Sequence, residues 1–150
     1  MIAVVTRVVS ASVEVEGRTV GAIGKGLLVL ASLCRDDTDA DLEWMAEKLV
    51  GLRVFRDEVG AKHFDRDVRQ VGGSLLLVSN FTVAAATARG RRPSLDAAMS
   101  PAEALPVFAR FVEMVGQRGV AVQTGQFGAS MRVTSVNDGP ATFIVDSRKG

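Results

Sequence analysis

The chain has 150 residues, 47% of them hydrophobic and 23% charged, which predicts a single globular domain over 1–150. Its formal net charge of +1 excludes nucleic-acid binding through overall charge, so any RNA contact must be local and no DNA binding is expected. One cysteine and one histidine exclude an intramolecular disulfide and a Cys/His zinc site, and we expect neither a metal nor another cofactor. With no signal sequence and no apolar span of about 18 residues, we expect a cytoplasmic protein without a membrane contact.

The first part of the chain is typical of β-strands. Residues 2–9 are rich in β-branched side chains, and residues 11–16 alternate valine with glutamate, which is the period of a strand with one wet face. Glu16-Gly17 predicts a hairpin turn into a strand over 18–23. The aliphatic run over 27–31 predicts a strand buried on both faces.

An acidic cluster at 36–41 precedes the first predicted helix, where acidic side chains suit the helix dipole. The apolar stripe of this helix consists of Leu42, Met45, Leu49 and Leu52. We predict a further strand over 52–55 and then a polar loop over 62–70. That loop carries the only histidine, His63, for which the neighbouring sequence offers no catalytic partner.

At the centre of the chain, an aliphatic run is followed by polar residues. Leu75-Leu76-Leu77-Val78 predicts a strand buried on both faces, and Ser79-Asn80-Phe81-Thr82 follows where regular pairing stops. A rigid strand end with two hydroxyls, an amide and backbone N–H groups is a favoured place for binding or catalysis. The same polar groups also suit plain turn and helix-start hydrogen bonds, and the residues alone leave both interpretations open.

Two features follow the central strand. Residues 84–88 are small and weakly helical, and the next loop holds Arg89, Arg91 and Arg92. This cationic loop suits phosphate contact, although a merely solvated basic loop fits the sequence as well. The second helix begins with Ser100-Pro101-Ala102-Glu103, a capping box with proline at the first helical position. Its apolar stripe consists of Leu105, Phe108, Phe111, Val112 and Val115.

The last part of the chain returns to a strand pattern. The predicted elements are a strand over 120–124, a glycine-punctuated loop over 125–130 and strands over 131–136 and 141–145. Asn137-Asp138-Gly139-Pro140 supplies turn chemistry between the last two. The residues alone assign no cis bond before Pro140, because only about 5% of X-Pro bonds in folded proteins are cis. Residues 146–150 predict a frayed tail.

Conventional hydrolytic machinery is missing from the sequence. It contains no Gly-x-Ser-x-Gly elbow and no His-Glu-x-x-His motif, and no Ser/His/Asp set can be built around a single histidine. If the protein is an enzyme, its side chains supply little acid–base chemistry. That favours catalysis by positioning, by backbone donors and by a group on the substrate.

Two motifs carry a resemblance to a known family. Ser79-Asn80-Phe81-Thr82 is similar to the Ser-Gln-Phe-Thr motif, and Asn137-Asp138-Gly139-Pro140-Ala141-Thr142 to the Asn-x-Gly-Pro-x-Thr motif, of the D-aminoacyl-tRNA deacylases. The segments MIAVVTRVVSASVEVEG, GKGLLVL, LRVFRDEVGAK, RGRRPS and TGQFGASM follow the family's order and spacing. The resemblance covers nearly the whole chain.

The resemblance implies a compact α/β domain with a mixed or antiparallel sheet or barrel-like β core, two main helices, and a homodimer with active sites at its interface. It implies hydrolysis of the ester between a D-amino acid, or glycine, and the 3′-terminal adenosine of tRNA, which releases the amino acid and tRNA. Gly139 and Pro140, joined by a cis bond, would reach into the partner's pocket. There their carbonyls would hold the amino group and exclude an L-side chain.

The resemblance also implies roles within the pocket. The catalytic strand end would consist of Ser79, Asn80, Phe81 and Thr82. Backbone N–H groups near Phe81 and Thr82 would serve as oxyanion donors, and the terminal ribose 2′-hydroxyl would help to activate water. The terminal-adenosine pocket would be lined by Phe127, Gly128 and Met131. With such a substrate, the candidates for tRNA phosphate contacts are Arg89, Arg91 and Arg92.

Two departures from the family pattern leave alternatives open. Asn80 is one methylene shorter than the usual glutamine, so a contact made by that amide in relatives is lost or bridged by water. His63-Phe64 stands where relatives often have Met-Asn. One alternative function is a non-catalytic module that binds the tRNA 3′ end, which Asn80 keeps open. The other is a general hydrolase with Thr82 as nucleophile, which needs a side-chain base that the sequence does not contain.

Overall fold

The computed structural model describes residues 1–57 and 59–149. Its elements in chain order are β1 (Ile2–Val15), β2 (Arg18–Ile23), β3 (Gly26–Ser32), α1 (Asp39–Gly51), β4 (Ser74–Ser79), α2 (Pro101–Gly116), β5 (Ala121–Thr124) and β6 (Arg132–Asp146). Short 3₁₀ turns follow β4 at Phe81–Ala84 and β6 at Ser147–Lys149. Within the described ranges, no helix has the length and apolar character needed to cross a membrane.

The strands form one mixed sheet in the order β2-β1-β3-β4-β5, with β6 also paired to β1. Strands β3, β4 and β5 are parallel, so their connections need crossovers, which α1 and α2 supply. Strand β1 is antiparallel to its partners. A Cβ atom on Gly21 of β2 would lie 2.2 Å from the carbonyl oxygen of Thr124 in β5, so the sheet curls until it is nearly barrel-shaped. The expected α/β fold with a barrel-like sheet and two main helices is confirmed.

Hydrophobic residues pack on both faces of the central strands. On one face, Leu77 of β4 belongs to a core that includes Leu49 of α1 and Phe111 of α2. On the other face, inside the curl of the sheet, Leu76 belongs to a second core with Val13 of β1. This double burial accounts for the unbroken aliphatic runs of β3 and β4, and it confirms the predicted central strand.

Three predicted elements differ from the structure. No strand covers 52–55, where Phe55 alone forms an isolated bridge, with Arg66; the apolar run there reflects burial of its ring in the core. The helical turn predicted over 84–88 lies earlier, at Phe81–Ala84, because the Asn80 side chain caps it. The two strands predicted over 2–9 and 11–16 are one strand, β1.

The largest difference concerns β6. The sequence predicts strands over 131–136 and 141–145 with a turn between them, but both halves pair with β1 in the same direction as one strand. The pairs that flank the interruption are Thr6 with Thr142 and Val8 with Asn137. Segment 138–141, which we call the β6 bulge, therefore stands opposite the single residue Arg7. The turn residues interrupt the ladder without reversing the chain, and the Gly139–Pro140 bond is cis.

The end of the chain is held by hydrogen bonds, so the prediction of a frayed tail over 146–150 is wrong for 146–149, the residues that the structure describes. The Ser147 N–H donates to the Met1 carbonyl at 2.9 Å. The Ser147 hydroxyl accepts from the Met1 ammonium at 2.7 Å and donates to Asp41 at 2.7 Å. These partners are remote in sequence, which is why local composition did not indicate them. Gly150 lies outside the described residues.

The Asp41 carboxylate links the start of α1 to the chain end. It accepts the hydroxyl of Thr38 at 2.7 Å and the N–H of Thr38 at 2.9 Å. These bonds, together with the one from Ser147, lower the pKa of Asp41 from 3.8 to about 2. Because the folded-state pKa is depressed, the carboxylate stabilises the fold above about pH 4, and this stabilisation is lost as the pH falls towards about 2.

We expect Asp41→Asn to lower the free energy of unfolding by about 1 kcal/mol at neutral pH, as loss of a helix cap does. The difference from wild type should shrink as the pH falls from about 4 to about 2. Urea unfolding followed by circular dichroism across this range measures both values. Asp36→Asn, at an exposed position in the same acidic cluster, controls for the loss of one charge. A difference that does not change with pH would contradict this role.

Candidate functional site

A cavity of about 770 Å³ opens at the carboxyl end of β4. It brings together two predicted groups that are remote in sequence: Ser79, Asn80 and Phe81 from the strand end, and Phe127, Gly128 and Met131 from the loop before β6. The other lining residues are mostly apolar, namely Leu30, Leu33, Val78, Leu95, Ala98, Met99, Ser100, Pro101, Ala104, Ala129 and Val133. A concave apolar cavity with a few convergent polar groups is typical of a small-molecule site.

The polar end of the cavity is organised by Asn80. Its N–H donates to the Ala31 carbonyl at 2.8 Å, the last ladder bond between β4 and β3. Its side-chain oxygen then accepts the N–H of Thr82 at 3.2 Å and the hydroxyl of Thr82 at 2.6 Å. The Ser32 hydroxyl donates to the carbonyl of Phe81 at 3.3 Å. These bonds fix the backbone where the strand gives way to the 3₁₀ turn.

Thr82 differs from its three predicted companions, because it does not line the cavity. Its hydroxyl proton is directed to the Asn80 amide oxygen, and an amide is not a general base. None of the lining residues is titratable, and among the described residues no group of His, Cys, Asp or Glu could hold a metal ion. The chain's own contribution to this cavity is therefore shape, apolar surface and hydrogen-bonding groups.

Gly139 and Pro140 do not line this cavity. The β6 bulge stands opposite Arg7. Arg7 pairs with Leu27 of β3, and Leu27 pairs with Leu75 of β4, which is four residues before Ser79. The bulge is thus three strand spacings, about 14 Å, across the sheet and about 13 Å along it from the Ser79 end. The structure does not bring the two family motifs together within one chain.

Arg7 is a buried residue that holds the β6 bulge, and sequence reasoning missed it. The residue is 3% exposed, and its Nε lies 2.9 Å from the carbonyl oxygen and 3.0 Å from the carboxylate of Asp138 in the β6 bulge. The same guanidinium donates to the Val54 carbonyl and lies 6.0 Å from the centre of the Phe64 ring. The sequence did contain one indication that Arg7 is buried, because Arg7 is the next residue in the alternation that begins with the core residues Ala3 and Val5.

The remaining predicted residues lie outside the cavity. Arg89, Arg91 and Arg92 are exposed on a hairpin over 86–94, which we call the arginine hairpin, closed by a bridge between Ala86 and Ser94. His63 is exposed, and its backbone carbonyl accepts from the Arg7 guanidinium at 3.5 Å.

Comparison with known proteins agrees with this architecture. Residues 4–146 match the family described as D-Tyr-tRNA(Tyr) deacylase. A D-aminoacyl-tRNA deacylase of Geobacter sulfurreducens is 49% identical over 99% of this chain and 96% of its own length. A solved structure titled c-Myc DNA Unwinding Element Binding Protein has a TM-score of 0.92 at 38% identity, covering 97% of this chain and 98% of its own. A probable eukaryotic D-amino acid tRNA deacylase, with a TM-score of 0.82, 16% identity and coverage of 96% and 97%, shares the fold.

The buried Arg7 side chain gives a stability prediction. We expect Arg7→Met, which keeps an unbranched apolar stem but removes the guanidinium, to lower the free energy of unfolding by about 2–4 kcal/mol, since the Val54 and Asp138 carbonyls lose their donor. Urea unfolding measures the change. Arg132→Met is the control, because Arg132 is 87% exposed and lies 3.7 Å from Glu14; it should change the value by no more than about 0.5 kcal/mol. Equal effects of the two substitutions would contradict the prediction.

Proposed function

Because this chain belongs to the D-Tyr-tRNA(Tyr) deacylase family, we propose that it hydrolyses the ester bond of D-aminoacyl-tRNA and releases the D-amino acid and tRNA. The observation that carries the proposal is the apolar cavity that joins the Ser79-Asn80-Phe81 strand end to Phe127 and Met131. An aromatic and apolar wall suits the terminal adenine, which stacks without a sequence-specific contact. The hydrogen-bonding strand end beside it suits the ester. We expect the reaction to take place in the cytoplasm, in keeping with a tRNA substrate.

Catalysis in this proposal depends on positioning. The cavity lining holds no titratable side chain, so the ribose 2′-hydroxyl of the substrate assists the attacking water. The Thr82 N–H is already bonded to Asn80. This leaves the N–H of Phe81, the first residue of the 3₁₀ turn, which has no acceptor within the turn, to stabilise the developing oxyanion. Asn80 and Thr82 then act by holding that turn in place.

Selection of the D-configuration requires a second copy of the chain. Since Gly139 and Pro140 lie far from the strand end of their own chain, a homodimer brings each β6 bulge to the cavity of its partner. The Gly139 and Pro140 carbonyls then hold the α-amino group, and the wall that they form leaves no space for an L-side chain. Glycine has no side chain to reject, so glycyl-tRNA is hydrolysed as well.

The exposed apolar residues support this homodimer. Val9, Val136 and Ile144 are 56%, 54% and 78% exposed and lie on β1 or β6. Ile144 pairs with Val4, which pairs with the cavity residue Leu30, so an apolar row runs from β6 to the cavity. Such a row on an open sheet face is typical of an interaction surface. A two-fold axis that lies between two such faces, parallel to the sheets and perpendicular to the row, exchanges the two ends of the row and brings each bulge to the partner's cavity.

The activity is tested with D- and L-phenylalanyl-tRNA and with D-phenylalanyl-tRNA that ends in 2′-deoxyadenosine. We expect kcat/KM for the D-ester to exceed that for the L-ester by about 100-fold or more. Removal of the 2′-hydroxyl should lower the rate by about 100-fold or more, and Thr82→Val should retain most of the activity.

Two results would each favour one of the alternative functions. A folded protein that binds tRNA but hydrolyses neither ester would overturn the enzymatic proposal and support a module that binds the tRNA 3′ end. Loss of hydrolysis in Thr82→Val, with a 2′-deoxy ester that is still cleaved, would support a hydrolase with Thr82 as nucleophile.

The homodimer is tested by placing a charge on its proposed interface. We expect Ile144→Asp to give monomers with at least about tenfold lower deacylation, because an unpaired buried charge costs several kcal/mol. Leu105→Asp is the matched control, since Leu105 is 52% exposed on α2, away from the proposed interface. Light scattering and deacylation of the D-ester measure both variants. A monomeric Ile144→Asp variant with full activity would exclude a site that needs the partner.

A further inference from the structure

The arginine hairpin is a structured element. Two backbone bonds of 2.9 Å close it, from the Ala86 N–H to the Ser94 carbonyl and from the Ser94 N–H to the Ala86 carbonyl. Gly90, near the tip, has a φ of 71°, a turn conformation that glycine adopts without strain. The three arginines are thus held on one short hairpin.

Both limbs of the arginine hairpin are rooted in the cavity wall. The outgoing limb leaves the 3₁₀ turn of the strand end, where the Ala85 N–H donates to the Thr82 carbonyl at 3.1 Å. The returning limb continues into Leu95 and Ala98, which line the cavity. It is fastened by the Met99 N–H, which donates to the Leu33 carbonyl at 3.0 Å. The hairpin therefore starts at the cavity rim.

The position of the arginines follows from the length of the chain. Arg92 is three residues from Leu95, so at most about 10 Å of extended backbone separates it from the cavity lining. Arg89 lies at a similar distance along the other limb from Ala86. A nucleic acid whose last nucleotide fills the cavity brings its next phosphates close to this rim.

The hairpin arginines also differ from other arginines in their charge environment. Arg110 pairs with Asp39 and Arg118 with Glu43, whereas the three hairpin arginines form no ion pair with any part of the chain that the structure describes. The nearby Asp96 accepts the Ser94 hydroxyl at 2.8 Å. Guanidinium groups without a carboxylate partner suit phosphate oxygens, which they can bind through two parallel hydrogen bonds.

We propose that the arginine hairpin binds the phosphates of the single-stranded 3′ end of tRNA, next to the terminal adenosine, and does not contact the acceptor stem. This inference rests on the proposed function, because it takes the cavity as the adenosine site. The hairpin is short and begins at the cavity rim, so the nearest phosphates are those of the last unpaired nucleotides. Recognition is then independent of tRNA sequence, as a deacylase that acts on many tRNAs requires.

The test compares two esters and two variants. The substrates are D-phenylalanyl-tRNA and the same ester on a four-nucleotide RNA that reproduces the 3′ end. The variant replaces Arg89, Arg91 and Arg92 with alanine, and a control of equal net charge replaces the exposed residues Arg18, Arg53 and Arg110 with alanine. For each protein, kcat/KM is measured against salt concentration. Binding of the uncharged RNAs is measured by fluorescence anisotropy in parallel.

We expect the arginine variant to lose on the order of tenfold in kcat/KM at low salt for both substrates, with kcat unchanged. A plot of log(kcat/KM) against log salt has a negative slope, and its magnitude should decrease by about 2, since each single-strand phosphate contact contributes about 0.7. The control should match wild type. A loss confined to the whole tRNA would place the contact on the stem and overturn the proposal, as would an unchanged slope.

Failure of the proposed function gives a different result. If wild type hydrolyses neither ester, the deacylase proposal is wrong. The anisotropy measurement still tests whether the arginine hairpin binds the RNA. Salt-dependent binding of the four-nucleotide RNA that the arginine variant loses and the control keeps would support the hairpin contact. Equal binding by all three proteins would overturn it.

Discussion

The parallel pairing of β3 with β4 is the contact on which the position of the site depends. A parallel pair needs a crossover element, and here α1 supplies it and covers one face of the pair. The curl of the sheet covers the other face. With both faces buried, these strands cannot slip without moving apolar side chains into water. The end of β4 is therefore held firmly, and Asn80 makes the last ladder bond before the chain turns away.

The two family motifs stand where the ladder stops or is interrupted, and in each a side chain replaces the missing backbone partners. At the end of β4 the Asn80 amide accepts from the backbone and hydroxyl of Thr82. At the β6 bulge the buried guanidinium of Arg7 binds Asp138. Backbone groups that lose ladder partners must find others. Supplying those partners from fixed side chains gives irregular backbone with a defined conformation, which a binding site needs.

Apolar surface and charge are separated along the proposed path of the substrate. The cavity holds the aromatic and aliphatic side chains and no titratable group, while the arginines are exposed on the hairpin beyond its rim. A cavity with mostly apolar walls strengthens the hydrogen bonds that position an ester, whereas exposed arginines act on phosphates in water. With a net charge of +1, the protein has little general attraction for nucleic acid, so affinity in this arrangement comes from local contacts.

Local sequence determined most elements of the fold and half of the candidate site. Glycine pairs, aliphatic runs and the Ser-Pro helix start at Ser100 mark strands and helices because they act through neighbouring residues, and the strand end at Ser79 follows from the same pattern. The capping box predicted at Ser100 is wrong, because the Ser100 hydroxyl donates to the Glu103 carboxylate and makes no bond to the helix backbone. Local sequence patterns do not indicate which distant segments pair with each other. Only the tertiary structure decided that 132–146 is one strand against β1 and that Arg7 is buried against the β6 bulge. It also separated Gly139 and Pro140 from Ser79 by two intervening strands, β1 and β3, because strand order is set by pairing and packing across the whole sheet.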